Sequence, residues 1–283
     1  MKTIVTHYNP DLDAITSVWL IKRLMKGWED TEVSFVPAGE TIFGKKVDSD
    51  ANIIHVDTGL GRFDHHNLRE DTCAAKLVWE HLKKGNKNES KIKDNQEEEA
   101  IERLIEVVND IDHFREVYWA EPEGDNYDFC LERIIDGWKI LYPNENLRFL
   151  QWGMDCLDGV LQTFKNKVWA EAEIEKGTIF ETIWGKGIGM ETLNDEVLHL
   201  AQKKGYKIVV RKDSRKGYLR IKSMPDPKID LTKVFENLQK EDPHATWFLH
   251  ISKHMVLNGS AKNPETRPTR LPLSVVINII KSS

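Results

Sequence analysis

The first sixty residues alternate between short apolar runs and polar breaks. "KTIVTH" is rich in β-branched residues and reads as a short buried strand. The polar loop "YNPDLD" follows, and "AITSVWLIKRLMKG" then carries apolar residues at helical spacing, with Gly27 as its stop. "TEVSFVPAG" and "ANIIHVDTG" read as two further strands, the second ending on Asp57-Thr58-Gly59. Strand, helix, strand in that order predicts a parallel sheet with crossover helices. In open sheets of this kind, chemistry sits in the loops beyond the carboxyl ends of the strands. His7 and Asp57 are both expected there.

Helical periodicity continues in "CAAKLVWEHLKK" and in "EEEAIERLIEVVNDIDHF", which ends in Asp110, Asp112 and His113, with a polar loop "GNKNESKIKDNQ" between them. Helices are also expected over "YDFCLERIIDGWKILYP" and "ENLRFLQWGMDCLDGVLQTFKNKVWAEAEIEK", the second long enough to link domains. From about residue 186 the texture changes: "GIGMETL", "KIVVRKD", "GYLRIKSM" and "TWFLHIS" read as strands, with "NDEVLHLAQKKG" as a helix between the first two. The predicted class is α/β. An N-terminal parallel-sheet domain with flanking helices and a helical linker covers residues 1–180, and a smaller C-terminal α/β domain covers 186–283.

Composition narrows the function classes. A chain of 283 residues has room for two domains, and 40% apolar residues with nine Trp supply their cores. A net charge of −6 excludes an overall basic coat for nucleic acid, though a local basic patch remains compatible. Cys73, Cys130 and Cys156 are scattered without metal-ligand spacing, which fits reduced thiols in a reducing compartment. No apolar run approaches bilayer-spanning length, and "MKTIVTHYNP" turns polar too soon for a signal peptide. The expectation is a cytoplasmic protein without a membrane partner.

Four acidic or His-bearing patches stand at predicted loop positions: His7/Asp11/Asp13, Asp57, Asp64-His65-His66, and Asp110/Asp112. Singly, each has a structural explanation. Asp11 or Asp13 could cap the next helix, Asp57 could make an Asx-turn, and Asp110 could face solvent. Together they concentrate carboxylates and imidazoles at one sheet edge, where they repel or lose solvation unless something cationic sits among them. Carboxylates with a minority of His and no Cys suit manganese or magnesium, with zinc less favoured. The number of carboxylates predicts two divalent ions, ~3.5–4 Å apart and sharing a bridging carboxylate, an arrangement suited to phosphoryl displacement.

The order H-x-x-x-D-x-D, a strand ending in D, then D-H-H, then an acidic fourth motif resembles the DHH phosphoesterase superfamily over the N-terminal half. That group includes RecJ-type exonucleases, nano-RNases, cyclic-dinucleotide phosphodiesterases and family II inorganic pyrophosphatases. The resemblance implies one ion on His7, Asp11 and Asp57. It implies a second on Asp13, Asp57, His65 and the fourth-motif Asp, with Asp57 bridging. His66 would contact phosphate or donate a proton, so His66, His65 and Asp57 are the catalytic candidates. "LIEVVNDIDHF" is similar to the helix-end motif of the Myg exonucleases, which would put the ligand on Asp112, with Asp110 as rival.

The ending "FLHISKHMVLNGSAKNPETRPTRLPLSVVINIIK" resembles the Myg-type C-terminus, where a His-bearing strand leads to a Gly turn and Thr-Arg opens the last helix. It implies substrate contacts from His250, Ser252 and Lys253, from the turn Asn258-Gly259-Ser260, and from Thr269-Arg270. A Gly turn exposes amides, a helix N-terminus adds partial positive charge, and Arg offers a fork of donors. Lys262, Arg267 and Arg270 add local positive charge. Asn-Gly-Ser stands where the superfamily carries a doubled Gly followed by His, and "THYNPDLD" is closer to the nano-RNase and pyrophosphatase style. The implied protein is a metal-dependent phosphodiesterase or exonuclease for short single-stranded oligonucleotides or nucleotides, its site in the cleft between domains. Alternatives are an inorganic pyrophosphatase or small phosphomonoesterase, and a non-catalytic nucleotide-binding regulator. A homodimer is compatible with any of these. His55, two residues before Asp57, could back the ligands or pack in the core.

Overall fold

A computed structural model describes residues 2–85, 90–260 and 263–283, so Lys262 and part of the expected loop after residue 84 lie outside the described residues. The β-branched N-terminal run forms β1 (Thr3–His7). The chain turns through Asn9, at φ 52°, into α1 (Leu12–Leu24). This helix starts two residues ahead of the apolar spacing because Asp11 is its N-cap, accepting from the Ala14 amide at 3.0 Å. It stops before Gly27, whose φ of 77° serves the following turn. Leu12 to Ile21 are buried on every side, which makes α1 the central helix of its unit.

β2 (Glu32–Val36) and β3 (Ile53–His55) both pair with β1 in parallel, in the order β2-β1-β3. Ile4 lies between Val33 and Ile54 in this register. The strand order therefore reverses at β1, and its carboxyl end is where such sheets open a crevice. α2 (Ala74–Lys84) and α3 (Asn95–Asp112) contact α1, burying Val78, Leu82, Ile101 and Leu104. The helix expected over 127–143 is divided: a 3₁₀ turn at Asp125–Phe129 gives way, at extended Cys130, to α4 (Leu131–Leu141). α5 (Asn146–Glu175) follows as one long helix. The chain divides within it into two compact units, Met1–Lys165 and Asn166–Ser283.

The second unit contains β4 (Thr178–Thr182), β5 (Gly185–Glu191), α6 (Glu196–Lys203), β6 (Ile208–Lys212), β7 (Leu219–Ser223), α7 (Thr232–Glu241), β8 (Trp247–Leu249), β9 (Met255–Asn258) and α8 (Leu273–Lys281). Its mixed sheet runs β4-β5-β6-β7-β9-β8, and of these pairs β5–β6 alone is parallel. Side chains alternate along β6: Ile208 and Val210 enter a core with Val234, Leu238 and Ile280, while Val209 joins Ile188, Val197 and Ala170. Both faces are thus covered by helices. The architecture is the expected α/β one, a parallel sheet flanked by helices followed by a separate, smaller mixed-sheet domain.

Three elements depart from the sequence reading. β4 and α7 are additional, and "TWFLHISKHMVLNG" is a hairpin of two strands instead of one strand entering a Gly turn. The hairpin was hidden because Lys253, not Gly or Asn, takes the left-handed turn position at φ 60°. The last helix starts at Leu273 behind Pro272, not at Thr269-Arg270, since Pro268 and Pro272 hold the preceding residues extended.

Gly259 follows β9 at φ 79°, and a Cβ there would stand 2.1 Å from the Tyr218 ring. Gly259→Ala is expected to destabilise the second unit by about 2–4 kcal/mol through backbone strain and overpacking. Urea denaturation of the full chain measures it, and a change under about 1 kcal/mol would contradict the close approach.

Candidate metal centre

Two strand ends bring the first residues together. The Val56 amide still bonds the Val5 carbonyl at 2.9 Å, but Asp57 leaves the ladder at φ 54° and donates its amide to the Phe63 carbonyl at 2.9 Å. This turn sets the buried Asp57 carboxylate against the end of β1, with Oδ2 3.1 Å from His7 Nε2. His7 Nδ1 lies 2.9 Å from the Tyr8 carbonyl, which can only accept. Nδ1 therefore carries a hydrogen, and Nε2, turned to Asp57, is the atom a cation could take in exchange for its proton. Asp11 Oδ2 lies 3.8 Å from the same Nε2, so the cap of α1 also reaches the site.

A second group forms on the other side of Asp57. His65 Nδ1 donates to the Thr72 carbonyl at 3.0 Å. Its Nε2 lies 3.5 Å from Asp57 Oδ1, 3.6 Å from Asp112 Oδ2 and 3.9 Å from Asp13 Oδ2. Asp13 is buried and held by the amides of Ala74 and Ala75, at 2.7 and 2.8 Å. A residue in the first turn of α1 thus caps α2, whose own N-cap Cys73 makes no side-chain bond. His66 is the exposed member, 59% accessible, with Nδ1 2.7 Å from Asp64 Oδ1. Buried Asp64 is fixed in turn by the Leu60 amide at 2.7 Å.

Three sets of potential ligand atoms each gather within 4.8 Å: His7, Asp11 and Asp57; Asp13, His65 and Asp112; and Asp57, His65 and His66. Asp57 faces the first set with Oδ2 and the second with Oδ1. Oδ1 is buried and accepts no well-aligned hydrogen bond among the described residues; its near contacts are the imidazoles of His65 at 3.5 Å and His66 at 3.7 Å. A carboxylate oxygen left so is costly unless a cation meets it. The donor set of imidazoles and carboxylates suits a divalent ion, and two groups sharing Asp57 are consistent with a two-metal site.

The protons report the same frustration. Burial, with Asp57 and Asp112 nearby, pushes Asp13 well above the carboxylate range. Burial also pushes Asp112 up to about 6, with help from Asp11 and Asp57 and against the pull of His65. Burial works to lower His7, but the hydrogen bond to Asp57 and the charge of Asp11 outweigh it and raise the ring to about 9. His65 is raised to about 9, chiefly by its bond to Asp57. Burial opposes the ionised form of Asp57, yet His65 and His7 together hold its carboxyl below the usual range. Protons on two imidazoles thus supply the positive charge that divalent ions would replace.

The remaining candidates fall elsewhere. Asp110 accepts from Arg115 Nη1 at 3.2 Å, and Asp112, not Asp110, joins the cluster. His55 packs in the sheet, where its Nε2 accepts from the Ile42 amide at 3.2 Å. His113 places its ring 6.3 Å from His65, with Nδ1 donating to the Asn109 carbonyl at 2.8 Å. In the second unit, His250 and Ser252 bond each other at 2.8 Å in the β8–β9 turn, and Lys253 pairs with Asp230 at 2.7 Å. Asn258-Gly259-Ser260 lies at the other end of β9, about 13 Å along a four-residue strand. Asn258 is fully buried, donates to the Thr246 and Arg267 carbonyls, and accepts from the Thr269 amide. Thr269 is buried too, its hydroxyl on Asp242 at 2.7 Å, while Arg270 is exposed. The structure does not bring these eight residues into one place. Sequence reasoning missed the brace that Asp64 gives His66, although the i, i+2 spacing in "DHH" was its signal.

No protein-family model and no curated protein sequence matches this chain. Solved structures with a similar chain trace exist. A pGpG-specific phosphodiesterase from Vibrio cholerae aligns over 98% of both chains at 15% identity and a TM-score of 0.30. The DHH domain of a protein described as a member of the s1p family of ribosomal proteins aligns over 99% of this chain and 86% of its own, at 10% identity and a TM-score of 0.33. RecJ from Thermus thermophilus, in complex with Mg2+, aligns over 99% of this chain and 49% of its own, at 13% identity and a TM-score of 0.32. The likeness to DHH-fold proteins is distant, and the chemistry rests on the side chains described above.

Three outcomes follow from the geometry. Asp112→Asn is expected to weaken manganese binding at least about tenfold, and Asp110→Asn to change it less than about twofold, by isothermal titration. At pH 7 manganese binding is expected to release at least about two protons, those of His7 and His65, with any held by Asp13 in addition, read from titrations in buffers of differing ionisation enthalpy. The same imidazoles stabilise the metal-free fold fully below their unfolded pKa near 6.5, and that contribution is lost as pH rises through about 9. Thermal melts of metal-free protein should therefore decline over this window, and melts in manganese should not.

Proposed function

We propose that this protein is a metal-dependent phosphohydrolase that uses two divalent cations, manganese or magnesium, to cut phosphodiesters in nucleotides or short single-stranded oligonucleotides. The observation that carries the proposal is Asp57, a buried carboxylate that turns one oxygen to each of two groups of potential ligand atoms. His7, Asp11 and Asp57 would hold one cation, and Asp13, Asp57, His65 and Asp112 the other. Bound there, such ions lower the pKa of water and neutralise phosphoryl oxygens.

The protein's own groups do the rest. Asp13 is kept in place by the α2 amides, and the His7 and His65 rings by the Tyr8 and Thr72 carbonyls. His66, exposed and braced by Asp64, is placed to contact phosphate or to hand a proton to the leaving oxygen. Three free cysteines favour the cytoplasm, and no helix among the described residues is long and apolar enough to cross a membrane.

A pyrophosphatase or small phosphomonoesterase is the second reading, and one observation favours it. Asn258 and Thr269 spend their side chains on internal bonds, leaving fewer groups to grip a nucleoside. A nucleotide-binding regulator without turnover is disfavoured by the exposed, braced His66. Purified protein with manganese, offered dinucleotides, single-stranded oligomers, a phosphomonoester and pyrophosphate, decides among them. Dinucleotides are expected to be the fastest. Asp57→Asn should lower turnover by about 10³-fold or more, and His66→Asn by about 10²–10⁴-fold, with circular dichroism unchanged. Faster hydrolysis of pyrophosphate would replace the first reading with the second, and no hydrolysis of any would refute both.

A further inference from the structure

Two ligands of the second group lie on separate segments: the stretch from Asp64 to Thr72 bears His65, and the end of α3 bears Asp112. Nothing in the chain's connectivity joins them closely. A guanidinium does. Asp71 Oδ1 accepts from Arg115 Nη2 at 2.6 Å and from Asn109 Nδ2 at 2.9 Å. Arg115 Nη1 donates to Asp110 Oδ1 at 3.2 Å. Asp71 directly precedes Thr72, whose carbonyl orients His65, and the Asn109 carbonyl orients His113. The return is made at Phe114, where a φ of 56°, unusual for a bulky side chain, turns Arg115 back beside the last turn of α3.

We propose that Arg115 is a positioning residue that clamps the His65 segment to the α3 end through Asp71 and Asp110, and so sets the spacing of the second cation's ligands. The inference rests on the two-cation reading for its effect on binding. Asp13 needs no such clamp because the α2 amides already hold it. The fork geometry matters: an arginine reaches two carboxylates with separate nitrogens, whereas a lysine offers one. Arg115, Asp71 and Asp110 are all partly exposed, so their pairs add little to global stability. Their effect is expected on the site instead.

The test compares wild type, Arg115→Ala, Arg115→Lys and Asp71→Asn as full chains. Manganese stoichiometry and affinity are read by titration, and backbone amide exchange is read on metal-free protein. Arg115→Ala is expected to weaken one of two manganese ions at least about tenfold and to leave the other within about twofold. It should also speed exchange in residues 65–72 while the melting temperature barely moves. Asp71→Asn, which keeps an acceptor oxygen, should recover most of the affinity, and Arg115→Lys little. Two ions with unchanged affinities and unchanged exchange in Arg115→Ala would overturn the clamp alone. So would a rise in KM with cation affinity intact, which would make Arg115 a substrate contact. Fewer than two ions on wild type would overturn the two-cation reading and the clamp's effect on binding with it.

Discussion

Carboxylates gathered at one place repel one another, the more so when buried, and the first unit brings five together, of which Asp13, Asp57 and Asp64 are buried. Asp11, Asp13, Asp57, Asp64 and Asp112 converge on the carboxyl end of a three-stranded sheet, among three imidazoles. Each is held by something other than its neighbours: backbone amides for Asp11, Asp13 and Asp64, a left-handed turn for Asp57, a helix end for Asp112. The fold can only hold this arrangement because positive charge is also present. Imidazolium supplies it at one extreme and metal ions would at the other.

Much of this could be read from residue order. β-branched and helical periodicities gave β1, α1, β2 and β3 in the right sequence, and a parallel sheet has one edge where loops converge. His7 and Asp57 therefore had to meet, whatever the remaining details. The choice between Asp110 and Asp112 could not be made, because both sit on the last turn of one helix. In the structure Asp112 lies in the cluster while Asp110 pairs with Arg115, five residues further on, after a reversal at Phe114 that no periodicity announces.

The C-terminal unit was harder to read for a different reason. Asn258, Thr269 and Asp242 lie far apart in the chain yet form one buried knot, and polar residues that look available for a ligand are consumed in it. Turn chemistry misled as well, since Lys253 occupies a position where Gly or Asn would have signalled the hairpin. Short polar side chains around a Gly turn suit both anion binding and internal stapling, and only packing separates the two.

Asp13 has a consequence of its own. Because its two oxygens already stop the open end of α2, the docking of that helix and the shaping of the cavity are one event during folding. A change at Asp13 would therefore unseat the start of α2 as well as remove a carboxylate from the cluster.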